Sequence, residues 1–298
     1  MTSEGRFCAH FLNEGDGDSI VLQFPDNSLA VVDCCNSVKT HRYLQALERQ
    51  LELDKPQLVF VAVTHAHADH DNICPLIDKL GGRDFVEEIW LSSWPVPRQE
   101  KLIGYCSAEG ISLLTLDSDG DQLGREYGGV KVELLSPGPL PSLEAEVTEV
   151  KKGKHNWVND SSLVLRLDCK RHILLLTGDA GTSNWSYVNN EATYEWGKKY
   201  LRQTQVLKVP HHGSRYNVDS GILREIRPSV AIVSAARRGE GRFKGLPDEK
   251  VEQTLADEVR DTYYTYNGSC VATPDRRGWR VEQLDDSNMY AIPKLPTW

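Results

Sequence analysis

The sequence holds no run of about 18 apolar residues, so it offers no candidate membrane-spanning helix. It also lacks the C-x-x-C pairs of zinc ribbons and redox motifs. The 7 cysteines are odd in number and scattered, apart from the adjacent Cys34 and Cys35. That pattern excludes a disulfide framework and reads as reduced thiols. The opening residues M-T-S-E-G-R-F have neither the charged nor the apolar region of a signal peptide. Together these absences lead to the expectation of a cytoplasmic protein with no membrane association. No G-x-S-x-G and no Gly-rich phosphate loop occurs, so neither a nucleophilic serine elbow nor a P-loop is expected. No repeat, low-complexity tract or linker breaks the chain, which is expected to form one domain, 1–298.

Apolar residues make up 40% of the sequence, enough for a sizeable core. The net charge of -9 argues weakly against a nucleic-acid binder, but its distribution changes that reading. Residues 84–149 carry 4 Lys/Arg against 13 Asp/Glu, whereas residues 198–244 carry 11 against 3. The second segment is either a solvated surface or a face that attracts phosphate.

Short apolar runs alternate with helical periods. Residues 20–24 and 29–33 read as a hairpin turned at Pro25-Asp26-Asn27. Leu44, Leu47 and Leu51 share a helical face, with Ser37 as the candidate N-cap. Residues 58–63, L-V-F-V-A-V, form a continuous apolar run, as in a strand buried on both faces. Asp71-Asn72 opens a helix bearing Ile73, Ile77 and Leu80, closed by Gly81-Gly82. Further strands are expected at 111–116, 130–135, 162–167, 172–177, 206–209, 230–234 and 262–266. A Trp/Tyr-rich helical stretch spans 185–201, and Val251, Leu255 and Val259 mark another helix, opened near Pro247-Asp248. Residues 136–153 read as a mobile surface loop. The fold class is α/β.

The run T-H-A-H-A-D-H at 64–70 follows directly on the 58–63 strand. Three histidines and an aspartate in one turn would repel if protonated, and burying them unpartnered is costly. A divalent metal resolves both problems. Two more apolar runs end in candidate ligands. L-L-L-T-G-D at 174–179 ends in Asp179, and V-L-K-V-P-H-H-G-S at 206–214 brings His211 and His212. Open α/β sheets build their sites this way, at the carboxyl ends of strands. The isolated His10, His41, His155 and His172 read as structural.

The order H-x-H-x-D-H, T-G-D, H-H-G-S resembles the metallo-β-lactamase fold. Within that superfamily it is similar to the ComEC-type branch, a hydrolase domain associated with DNA uptake. Three other stretches carry the likeness: F-L-N-E-G-D-G-D-S at 11–19, A-V-V-D at 30–33 and N-D-S-S-L-V-L at 159–165. The resemblance implies an αββα sandwich, two central mixed sheets flanked by helices. It also implies two divalent ions, zinc or manganese, with a bridging hydroxide. His65 and His67 would hold the first, Asp69 and His70 the second, and Asp179 both. His211, first off its strand, would complete the second ion's shell, leaving His212 to face substrate or to stand behind the ligands. Asp33 would buttress the histidine loop, and Asp16 and Asp18 would approach from the first hairpin.

Two departures from the pattern stand out. The histidine that many superfamily members give to the first ion is missing. Asn159, Asp160 and the more distant His155 occupy that region, which favours an oxygen ligand and manganese. A family His-Pro is replaced by Leu246-Pro247.

The chemistry expected is metal-assisted hydrolysis. A phosphodiester in nucleic acid is the favoured substrate, with Asp69, His212, Asn159 and Ser214 in catalytic or phosphate-contacting roles and Ser162 beside them. Arg237, Arg238, Arg242 and Lys244 would track the backbone. Trp157, Trp185 and Trp196 are either core residues or base-stacking ones. The alternatives are a hydrolase of small phosphoesters, lactones or thioesters, and a partner-dependent metal-binding subunit docking through Trp185–Tyr200. A protein partner or homo-oligomer accompanies the last.

Overall fold

A strand that is apolar on both sides demands cover on both faces, and the fold supplies it by packing two sheets together and helices outside each. The computed structural model describes residues 5–53, 57–96, 98–118, 124–138, 157–189 and 197–285. The strands are β1 (Cys8–Phe11), β2 (Ser19–Gln23), β3 (Leu29–Cys34), β4 (Leu58–Ala62), β5 (Glu88–Ser92), β6 (Ser112–Leu116), β7 (Arg125–Tyr127), β8 (Val130–Ser136), β9 (Val164–Cys169), β10 (His172–Leu176), β11 (Val206–Lys208), β12 (Val230–Val233), β13 (Asp261–Tyr264), β14 (Cys270–Asp275) and β15 (Gly278–Gln283). The helices are α1 (Ser37–Leu51), α2 (Ile73–Leu80), α3 (Gln99–Glu109), α4 (Trp157–Asp160), α5 (Thr182–Asn189), α6 (Gly197–Arg202), α7 (Ser220–Ile226) and α8 (Glu249–Glu258).

One sheet has the order β15-β14-β1-β2-β3-β4-β5-β6, the other β13-β12-β11-β10-β9-β8-β7. Both are mixed, as expected. In the first, β1, β2 and β3 run antiparallel and β3 to β6 parallel. In the second, β8, β9 and β10 run antiparallel and β10 to β13 parallel. The two halves therefore repeat one plan that shows no trace as a sequence repeat.

The core lies in three layers. Phe24, Phe60, Trp90, Leu165, Leu174 and Ile232 meet between the sheets. Phe60 and Trp90 stack there with centroids 3.9 Å apart. Leu44, Leu47, Val61 and Ile77 pack α1 and α2 on the first sheet, and Leu175, Val233, Leu223 and Leu255 pack α7 and α8 on the second. Among the described residues no helix is long and apolar enough to cross a membrane.

Several local expectations shift. Asn36, not Ser37, caps α1, its Oδ1 accepting from the Val38 and Lys39 amides at 3.1 Å each. The late strand ends at Tyr264, and the unexpected hairpin β14–β15 closes onto β1. The helical stretch at 185–201 contributes α5 and α6; residues 190–196, with Trp196, lie outside the described residues, as do 139–156 with His155.

Candidate metal centre

The candidate ligands stand where strands of both sheets end. Asp33 closes β3, Thr64–His70 follows β4, Asp179 follows β10 and Pro210–Gly213 follows β11. Backbone hydrogen bonds stitch the histidine loop in place. Asp18 N–H donates to the Asp69 carbonyl at 3.1 Å and Cys34 N–H to the His70 carbonyl at 2.8 Å.

Asp179 is the hub. Its Oδ2 lies 3.6 Å from His65 Nε2 and 3.5 Å from His211 Nε2. Its Oδ1 lies 3.4 Å from His70 Nε2 and 3.9 Å from His212 Nε2. Asp69 Oδ2 stands 3.3 Å from His212 Nε2 and 3.7 Å from His70 Nε2. His67 Nδ1 is 3.0 Å from His65 Nε2. Three overlapping groups able to hold a cation result among the described residues: His65, His67 and Asp179; Asp69, His70 and His212; and Asp18, His70 and Asp179.

Two residues therefore exchange their expected places. His212, not His211, joins Asp69 and His70, and His211 turns instead toward the Asp179 oxygen that faces His65. The reason is backbone conformation. His211 and His212 have φ of 49° and 54°, both left-handed, and Gly213 has φ of 82°. Adjacent side chains are thereby fanned to different sides of Asp179 rather than alternating as on a strand. His211 Nε2 thus lies 3.5 Å from the Asp179 oxygen that faces the first group.

The other ring nitrogens determine which tautomers are present. His212 Nδ1 lies 2.7 Å from the Ser234 carbonyl, which can only accept. His70 Nδ1 lies 2.8 Å from Asp33 Oδ2, whose carboxylate also accepts from the Thr64 amide and hydroxyl at 2.7 Å each. That hydroxyl, already donating to Asp33, accepts from His65 Nδ1 at 3.2 Å. Asn217 Nδ2 donates to the Asp179 carbonyl at 2.8 Å, which orients its Oδ1 to accept from His211 Nδ1 at 2.8 Å. Each of these imidazoles directs Nδ1 outward to an acceptor and Nε2 inward, the orientation in which Nε2 can bind a metal.

The donor set fits divalent ions. Lone pairs and carboxylate oxygens converge at 3.0–3.9 Å with no proton to place between most of them, and His70 Nε2 and Asp179 Oδ1 are buried without a hydrogen-bond partner. Ligands on a tetrahedral ion with bonds of about 2.1 Å are about 3.4 Å apart. The electrostatics divide the groups. Burial pushes the Asp69 and Asp179 carboxyls up, but the imidazoles around them outweigh it and hold both below the usual range. Burial pushes His65 and His67 down. Burial also opposes charge on His70 and His212, yet the carboxylates beside them raise both.

Other expected residues fall as follows. Asp33 serves as the acceptor behind the histidine loop. Asp18 is buried 3.7 Å from His70 Nδ1 and paired with Lys208. Asp16 accepts from the Arg242 and Phe243 amides, tying the basic loop to the first hairpin. Asn159 is buried with Nδ2 3.1 Å from His211 Nδ1. Ser162 Oγ accepts from the Asp179 amide at 3.2 Å. Ser214 is buried, its Oγ accepting from the Tyr216 amide at 3.4 Å. Phe243 stacks on His212 with centroids 6.1 Å apart.

Sequence reading missed Asn217 and Lys208. Asn217 gave no signal, but Lys208 did, as a lone cation inside the apolar run V-L-K-V. It is fully buried and donates to the Gly178 carbonyl at 2.9 Å.

The tryptophans and the basic segment also need correction. Trp185 is buried, with Nε1 donating to the Asn217 carbonyl at 2.9 Å, so it is core rather than a docking or stacking residue. Trp157 packs on Trp94 with centroids 4.6 Å apart. Four of the 11 cations at 198–244 are paired with carboxylates from elsewhere in the chain: Lys208 with Asp18, Arg215 with Asp248, Arg224 with Glu258 and Arg238 with Glu252.

No protein-family model matches the chain. Among solved structures it is similar to the metallo-β-lactamase fold protein YhfI from Bacillus subtilis, with a TM-score of 0.52, 12% identity, and coverage of 87% of this chain and 96% of that one. The chain has the metallo-β-lactamase fold. Within that fold, its sequence is 34% identical over 168 residues to Recombination protein 2 of Haemophilus influenzae, covering 48% of this chain and 20% of that protein. It is 26% identical over 207 residues to ComE operon protein 3 of Bacillus subtilis, covering 67% of this chain and 22% of that protein. The ComEC-type likeness read from the motifs is thus also found by whole-sequence comparison. The matched region amounts to about a fifth of the length of these relatives.

Proposed function

We propose that this metallo-β-lactamase fold chain is a metal-dependent hydrolase of phosphodiester bonds in nucleic acid. The observation that carries the reading is the division of Asp179, one oxygen toward each of two nitrogen sets. His65, His67, His211 and Asp179 would hold one divalent ion, and Asp69, His70, His212 and Asp179 the other. Ions bound there supply Lewis acidity and a water of lowered pKa. Three nitrogens and a carboxylate at the first centre suit zinc.

The chain's own groups orient and bind. Asp33, Asn217 and the Ser234 carbonyl lock the imidazoles. The Asn159 carboxamide, with Nδ2 3.1 Å from His211 Nδ1, stands beside the metal centre as a further polar group for a substrate oxygen. Exposed Arg242 and Lys244 flank Phe243 and would meet backbone phosphates. The similarity to proteins named for recombination and for the ComE operon supports nucleic acid over other substrates.

The test is incubation with end-labelled single- and double-stranded DNA and RNA in Mn²⁺, Zn²⁺ or Mg²⁺. Metal-dependent cleavage, lost in Asp69→Ala and His70→Ala, is expected. No cleavage while two ions per chain are found by elemental analysis would overturn the nucleic-acid reading and leave small phosphoesters, lactones, thioesters or a required partner.

A further inference from the structure

We propose that a cleft beside the first centre is a nucleobase subsite, with Tyr216 as its stacking platform; this deepens the phosphodiesterase reading and rests on it. The cleft, between α5 and residues 215–225, encloses about 670 Å³. That is within the ~300–1,000 Å³ typical of small-ligand sites. Asn217 lines the cleft and is also the residue that orients His211.

Tyr216 is 73% exposed, and among the described residues no other aromatic side chain is in the exposed class. It is nevertheless held in place. The Arg215 guanidinium lies 5.0 Å from the ring centroid and donates to Tyr216 Oη at 3.0 Å. Arg215 is itself steadied by Asp248 at 3.6 Å. The ring is thus presented to solvent in a fixed pose, so a stacking partner loses little entropy in ordering it. The platform stands two residues beyond the His211-His212-Gly213-Ser214 turn in the chain.

The cleft carries charge of both signs, so it is the exposed ring and not a net charge that selects a base. Asp219, Glu225 and Arg215 line it, Asp219 capping α7 through the Ile222 amide, Glu225 paired with Arg202 and Arg215 with Asp248. Stacking on an aromatic face accepts any base, so the subsite would favour single strands without reading sequence.

The test compares two dye-labelled oligomers of equal length, one of thymidylates and one of base-free tetrahydrofuran units. Binding is read by fluorescence anisotropy with the purified protein at low temperature. The unaltered protein should bind the thymidylate oligomer about tenfold tighter. Tyr216→Ala should erase that preference, and Tyr216→Phe should keep it. A preference that survives Tyr216→Ala, or no preference while phosphodiesters are still cleaved, overturns the subsite alone. A protein that neither binds nor cleaves either oligomer overturns the phosphodiesterase reading and the subsite with it.

Discussion

Glu14 illustrates how one buried side chain ties stability to pH. Burial pushes its carboxyl up to about 7, against the pull of Lys39. The fold then keeps a proton that the unfolded chain has already released. Stability is full below the unfolded value near 4.5 and falls as pH rises through about 7. The cost above that range is about 3 kcal/mol. Glu14→Gln should therefore raise Tm at pH 8 and change it little at pH 4, as read by thermal melts. An equal gain at both would show that charge is not the cause. At this scale the ligand residue types were legible in the sequence, because three histidines and an aspartate in six positions at a strand end are costly to bury without a cation. The partition of His211 and His212 was not, since it depends on two left-handed φ values that no residue type announces.

Gly178 shows how an element end is held. It has φ of 50°, and a Cβ there would lie 2.6 Å from Thr64 Oγ1 and 2.7 Å from Thr64 Cβ. Its carbonyl also accepts from Lys208 Nζ at 2.9 Å and from the His211 amide at 3.2 Å. One residue thus brings the end of β10 against the loop after β4 and the turn after β11. Gly178→Ala should cost about 2–4 kcal/mol in urea denaturation, from backbone strain and overpacking together, and should lower metal content. Gly239→Ala, also left-handed at φ 88° but with nothing within 4 Å, should cost about 1 kcal/mol. Equal costs would refute the close packing. Among elements, β4, β10 and β12 were legible because burial on both faces makes them continuously apolar. The hairpin partner β15 was not, since none of its residues is fully buried and half of them are polar. Helix α3 escaped notice for a related reason, burying only Gln99, Leu102 and Cys106.

For the whole molecule, the centre joins two sheets whose strands have no other covalent reason to meet at one point. The converging lone pairs and carboxylates repel without a cation, so bound metal should stabilise the entire sandwich. An ion at about a hundred times its Kd contributes about 2.7 kcal/mol, which amounts to about 4 °C in Tm for a chain of this size. Dialysis against a chelator should lower Tm by that much, and stoichiometric Zn²⁺ or Mn²⁺ should restore it. An unchanged Tm on removal of measured metal would mean that the ligands are held by protein contacts alone. By itself, the sequence determined the fold class, the strand ends that carry ligands and the ligand residue types, because burial periodicity and metal chemistry are both local properties of side chains. Only the tertiary structure decided which side of Asp179 each of His211 and His212 faces, that Asn217 orients one of them, and that four cations of the basic segment are paired by carboxylates distant in the chain. Those outcomes depend on backbone angles and on contacts between residues far apart in sequence, which exist only after the two sheets have packed.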